Sequence, residues 1–84
     1  MKEVRKKIHP QYFEEVKRGN KRFELRKDDD SIVKGDKLIL EEFVYTGDVS
    51  TSYYTGRVIT KEVRYVLRNV PDYGLMNGHC IIGF

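Results

Sequence analysis

Gly19-Asn20-Lys21-Arg22-Phe23-Glu24-Leu25-Arg26 is the stretch on which the reading of this chain turns. It sets one acid among three bases between Lys21 and Arg26, directly after a glycine placed to stop a helix. Successive side chains of a β-strand point to opposite faces. A strand here therefore sorts the residues into two sets. Phe23 and Leu25 are expected to face a core. Glu24 and Arg26 are expected to share the other face, with Lys21 at the strand's entrance. Arg26 offers a rigid fork suited to phosphate or to a base edge, and Lys21 offers a point charge. Glu24 can accept hydrogen bonds from an amino group such as that of cytosine or guanine. The plainer alternative is a solvated strand face whose ion pairs are worth ~0–1 kcal/mol.

Upstream, residues 3–8 read as a short strand with Val4 and Ile8 as its apolar members. Pro10 suits the first position of a helix, where a missing N–H costs nothing. Glu14 and Glu15 are expected early in that helix and Lys17 and Arg18 late, matching its dipole. Tyr12, Phe13 and Val16 form its apolar stripe. Gly19 is a suitable C-terminal cap, because glycine adopts positive φ without steric cost.

Downstream, the second strand is expected over residues 21–27, followed by a polar turn at Asp28-Asp29-Asp30-Ser31. Lys34-Gly35-Asp36 makes another turn. A third strand then spans residues 37–45 around the apolar run Leu38-Ile39-Leu40. Residues 46–53 are rich in Gly, Ser, Thr and Asp and read as a loop or wide hairpin. One long strand is expected over 54–68, with Val63, Tyr65 and Leu67 alternating against Glu62, Arg64 and Arg68. Val66 breaks the alternation and marks a twist or bulge. Pro71-Asp72-Tyr73-Gly74 is a turn or short helical loop, and Cys80 to Phe84 closes the sheet. Several short strands with one early helix suggest a small barrel.

The 84 residues make a single domain, spanning 1–84, with a modest core. At 39% hydrophobic and 12% aromatic, the chain is too apolar to be disordered. The net charge of +3 permits a polyanionic partner without requiring one, and basic residues crowd the first third, from Arg5 to Lys27. The lone Cys80 beside Ile81 and Ile82 reads as a buried free thiol, which fits a reducing cytoplasm. No apolar run approaches the ~20 residues of a membrane span, and no hydrophobic signal region follows the basic start.

The aromatic residues Phe43, Tyr45, Tyr53, Tyr54 and Tyr73 are candidates for base stacking, against packing in the core and rim of a small barrel. Tyr54 precedes Gly56-Arg57, so a ring and a guanidinium can meet at one ligand. Three adjacent aspartates point in different directions and do not match a calcium loop, so no metal is expected at Asp28 to Asp30. His9 and His79 lack paired ligands for zinc. No phosphate-loop glycine motif and no Cys–His nucleophile arrangement is present, and no cofactor is expected.

The pattern Gly-x-Lys-x-x-Glu-x-Arg at Gly19 to Arg26 resembles the signature of ASCH domains, a branch of the PUA-like superfamily of small β-barrels. Pro10-Gln11-Tyr12-Phe13 before it, and Val33 to Leu40, Tyr54 to Arg57 and Tyr73-Gly74-Leu75 after it, extend the resemblance over nearly the whole chain. It points to a small single-domain subgroup found in bacteria and their phages. The resemblance implies a mainly β (α+β) fold, a PUA-like barrel with one helix after the first strand. It also implies that Lys21, Glu24 and Arg26 line a cleft for RNA or a modified nucleotide, at which Tyr54, Arg57 and Tyr73 are the further candidates read from the residues themselves. Some small ASCH proteins are amidohydrolases that deacylate N4-acetylcytidine with a Lys, a Thr and a Glu. Lys21 matches the lysine, but Glu24 stands where the threonine nucleophile is expected. A carboxylate can activate water but cannot replace an attacking hydroxyl. If the chain is a hydrolase, Glu24 is the base and Lys21 stabilises the developing charge, while Glu41, Glu42 and Glu62 are candidates for the distant acid. Val4 stands where that subgroup tends to carry a histidine. A third reading, a protein-interaction module of phage or mobile-element origin, requires an exposed apolar patch in place of a basic cleft.

Overall fold

The computed structural model describes residues 1–84 and is mainly β with one helix. The order is β1 (Glu3–Ile8), α1 (Pro10–Lys17), β2 (Phe23–Lys27), β3 (Lys37–Val44), β4 (Tyr53–Glu62), β5 (Tyr65–Leu67), a 3-10 turn (Pro71–Tyr73) and β6 (His79–Gly83). The strands form two three-stranded sheets, β1-β3-β4 and β2-β6-β5. β1 runs parallel to β3, from Glu3 opposite Lys37 to Ile8 opposite Glu42, and β4 returns antiparallel on β3's other edge. β6 is the middle strand of the second sheet, antiparallel to both neighbours. No ladder joins the two sheets.

One core lies between the sheets and the helix. Val4 and Ile8 come from β1, Phe13 and Val16 from α1, Leu38 and Leu40 from β3, and Cys80 and Ile82 from β6. The helix begins as expected, with His9 as N-cap and Pro10 at its first position. It ends in a Schellman arrangement, because Gly19 (φ +80) turns left-handed. Gly19 then donates to the Val16 carbonyl at 3.0 Å and Asn20 to that of Glu15, also at 3.0 Å. This tight stop aims the chain at β2. Glu14 and Glu15 lie mid-helix and no acid occupies the first turn, so only Lys17 serves the dipole as expected. The helix, eight residues long, is too short to hold its acids apart from its bases. Phe13 and Val16 are buried, whereas Tyr12 turns outward.

The long strand expected over 54–68 is two strands. Val63 breaks it: this residue is 1% exposed, donates to the Asp36 carbonyl at 2.8 Å and accepts from Gly35 at 2.8 Å. Arg64 then donates to the Gly83 carbonyl at 2.8 Å, and the chain has crossed from the first sheet to the second. Val66 pairs regularly with Ile82, so the break falls three residues before the expected twist. A bulge sits where Glu42 on β3 faces Thr55-Gly56-Arg57 on β4, with Gly56 at φ +91. Only a residue without Cβ adopts that φ freely.

The phase of β2 is inverted relative to expectation. Phe23 and Leu25 are 47% and 57% exposed, while Glu24 is 4% exposed. Glu24 lies opposite Ile82 and Arg26 opposite Cys80, and both β6 partners are buried. The charged pair therefore occupies the inner face of the second sheet. The alternation is as expected, but the assumption that the apolar set points inward fails.

Candidate nucleotide-binding cleft

The inverted strand opens a cleft. The end of β1, the first turn of α1, the approach to β2, β2 itself and the end of β3 converge around a space of about 750 Å³. Glu24 is its buried anchor. One carboxylate oxygen takes Lys21 Nζ and the other accepts from Arg26 Nε at 2.9 Å. A buried carboxylate is tolerable only when paired and hydrogen-bonded, and both conditions hold here. Lys21 Nζ also donates to the Phe23 carbonyl at 2.7 Å. Arg26 Nη2 donates to the carbonyl of Lys7, so one guanidinium ties the second sheet to β1 of the first.

Aromatic rings form the walls. Lys7 Nζ lies 4.4 Å from the Phe43 ring centre, and Lys21 Nζ lies 4.9 Å from that of Phe23 and 5.6 Å from that of Tyr12. Such cation–π contacts hold the ammonium groups near the rings. Tyr45, 58% exposed, lines the cleft with no ring or cation over it. Lys7, Lys21 and Arg26 against Glu24 leave the surface with an excess of positive charge.

Of the expected site residues, Lys21, Glu24 and Arg26 meet here. Tyr54 lies just outside, edge-on to Phe43 at 4.9 Å and 5.7 Å from Lys7 Nζ. Arg57 does not line the cleft. It pairs with Glu14 at 2.6 Å and with the buried Glu42 at 3.5 Å, across the Phe13 ring. Its hydrogen bond to Glu14 holds the guanidinium above, and the Glu14 carboxyl below, their usual values. Tyr73 is 88% exposed on the 3-10 turn and also stands apart from the cleft. Sequence reasoning missed Lys7, His9 and Tyr12. The i+3 step from His9 at the N-cap to Tyr12 was the available signal, since it places both at one corner of the helix entrance.

Of the residues named for a hydrolase, Lys21 and Glu24 share the cleft and Glu62 lines an adjoining surface. No serine or threonine lines the cleft. Glu42 accepts from the Thr55 hydroxyl at 2.6 Å beside the bulge, and Glu41 lies 3.8 Å from Arg5. Of the three aspartates only Asp28 points apart, and Asp29 and Asp30 converge on one cation. Asp28 takes the Arg68 fork at 2.5 and 3.0 Å, while Asp29 and Asp30 hold Lys6 at 3.1 and 2.5 Å. Burial pulls the Lys6 ammonium down, but its hydrogen bonds to Asp30 and Asp29 leave it above its usual value. Cys80 is a buried free thiol, pushed up by burial. No helix is long and apolar enough to cross a membrane.

Residues 5–84 match the family described as "Domain of unknown function (DUF3850)", and the chain belongs to that family. It is also similar to an "Uncharacterized 12.9 kDa protein in GpA 3'region" of Escherichia phage P2, at 39% identity over 80 residues. That match covers 92% of this chain and 66% of the phage protein, so the chain spans just under two thirds of its curated relative.

Proposed function

We propose that this protein is a PUA-like ASCH domain that binds RNA or a modified nucleotide in the cleft anchored by Glu24. In this reading the two sheets are the halves of a PUA-like barrel whose mouth is the cleft. The order of parts supports the assignment: a helix, a glycine stop, Lys21, and then Glu24 and Arg26 on the next strand, all reaching one concave surface. The observation that carries the binding function is the interleaving of aromatic rings with cations around that surface. A base offers a π-face and its phosphate a negative charge, and the cleft supplies partners for both.

Tyr45 is the stacking platform. Lys7, Lys21 and Arg26 take the phosphate. Glu24 has a cation on each oxygen, so it acts as a positioning residue for Lys21 and Arg26 rather than as a reader of the base. Stacking is worth ~1–3 kcal/mol per base by alanine substitution, which is roughly 5- to 150-fold in affinity.

The test is a fluorescence-anisotropy titration of a labelled short single-stranded RNA. Tyr45→Ala is expected to weaken binding within that range, and Tyr45→Phe to leave it near the parent value. Equal affinity for the parent and Tyr45→Ala would remove the stacking assignment. An acylated cytosine nucleoside incubated with the protein is expected to stay intact. Its conversion would replace the binding reading with the hydrolase one.

A further inference from the structure

A second concave surface adjoins the first, and Lys21 lines both. It measures about 500 Å³ and gathers Arg22, Lys61 and Arg64 with Glu62 and Phe84. Backbone bonds fix this grouping. Phe84 donates to the Arg22 carbonyl at 2.9 Å and Arg64 to that of Gly83 at 2.8 Å. Lys61 Nζ lies 6.0 Å from the centre of the Phe84 ring.

The surface collects cations in one place. Lys2, Arg5, Lys6, Arg57 and Arg68 each face a carboxylate within 4 Å elsewhere on the molecule. Arg22, Lys61 and Arg64 face none; Lys7, Lys17, Arg18, Lys27, Lys34 and Lys37 also lack one, but these three share a single hollow in which Glu62 is the one acid. Cations collected in a hollow without carboxylate partners leave a positive potential there. A mononucleotide's phosphate is already served by Lys7, Lys21 and Arg26, and it has nothing to offer the second surface.

We propose that the ligand is a single-stranded nucleic acid whose phosphodiester backbone leaves the first cleft past Lys21 and continues onto Arg22, Lys61 and Arg64. The inference rests on the nucleotide-binding reading of the first cleft and specifies its ligand as a polymer. Phosphate contacts position a strand without reading its sequence, so this surface contributes affinity and direction rather than specificity.

The test compares nucleoside monophosphates with a mixed-sequence RNA about eight nucleotides long, within the usual site size. Both are titrated over a range of salt concentrations against the parent and the triple variant R22Q/K61Q/R64Q. The oligonucleotide is expected to bind the parent more tightly than the monophosphates do. The triple variant is expected to lower the salt slope for the oligonucleotide by about two, at ~0.7 per lost contact on a single strand. Monophosphate affinity is expected to stay unchanged, which also verifies that the variant folds. The pair R22E/R64E, on two exposed residues, is expected to weaken the oligonucleotide further. Monophosphate binding with an unaltered oligonucleotide slope in both variants overturns this inference alone. Failure of both ligands to bind the parent overturns the first-cleft reading with it. Displacement of RNA from the parent by polyglutamate, matching unlabelled RNA in potency, overturns it in favour of an acidic protein partner.

Discussion

The Glu24 carboxylate and the Arg26 guanidinium, two residues apart on β2, meet at 2.9 Å on the inner face of the second sheet. Lys21 occupies the other carboxylate oxygen, and Arg26 reaches on to the Lys7 carbonyl. One buried acid thus fixes two cations and, through Arg26, the junction between the sheets. Glu24→Gln keeps the shape and removes the charge. Hydrogen bonds to charged groups contribute ~1.5–3 kcal/mol, so the variant is expected to lose about that much stability. It is also expected to bind RNA more weakly, because Lys21 and Arg26 lose their common anchor. Urea denaturation and anisotropy on the same preparation check both effects.

The core makes a simpler prediction. Leu40 is fully buried among residues of both sheets and the helix. Leu40→Ala is expected to cost ~2–5 kcal/mol through lost transfer energy and the cavity left behind. In a domain whose total stability is of order 5–15 kcal/mol, that is a large share. The loss should appear as a lower urea midpoint.

How much of this was legible in the sequence differs from element to element. The helix and its ends were readable because Pro10 and Gly19 act locally: one fixes φ and the other permits a positive φ. The alternation of β2 was readable for the same reason, whereas the one read through Val63, Tyr65 and Leu67 was not kept, because Tyr65 is exposed and Val66 packs on the core. The phase of β2 was not readable, because alternation defines two faces without saying which is inside. Glu24 goes inside because Lys21 and Arg26 go with it, and that pairing depends on three-dimensional placement. The break at Val63 was hidden by its fit to the alternation. Only the backbone bonds to Gly35 and Asp36, distant in sequence, pull it out of the strand. The spacing of Lys21, Glu24 and Arg26 placed them together and the resemblance singled them out as a cleft, whereas Arg57 was misplaced because an acid on the helix claims it.

Asp36, in the turn before β3, gives stability a dependence on pH. It is 3% exposed and accepts from the backbone N–H of Lys2 at 3.0 Å and of Val33 at 2.9 Å. These bonds hold its carboxyl below the usual 3.8. A carboxyl lowered on folding adds stability that is fully present above its unfolded value and is lost as pH falls through the folded one. Stability is therefore expected to decline below about pH 4. Asp36→Asn, which cannot ionise, should be less stable at neutral pH and lose less on acidification. Urea midpoints measured from neutral pH down to acid check this, and parallel declines in the two proteins would contradict it.

Arg57 and Tyr73 serve as controls for the boundaries of the cleft. Tyr73→Ala is expected to leave both stability and RNA affinity unchanged, since its ring is exposed and does not line the cleft. Arg57→Ala is expected to lower stability, because the buried Glu42 loses a cation, while affinity holds. A loss of affinity in Tyr73→Ala would extend the binding surface to the 3-10 turn.

A two-dimensional amide NMR titration of the labelled protein with a short single-stranded RNA tests whether the strand binds in the cleft anchored by Glu24. Shifts are expected at Lys7, His9, Tyr12, Lys21 to Arg26, Phe43 and Tyr45, extending to Lys61 and Arg64 when the strand reaches the second surface, and weakening as salt is added because bound phosphates release counterions. Shifts confined to other surfaces, or none at ligand concentrations far above those of the protein, would contradict binding in that cleft.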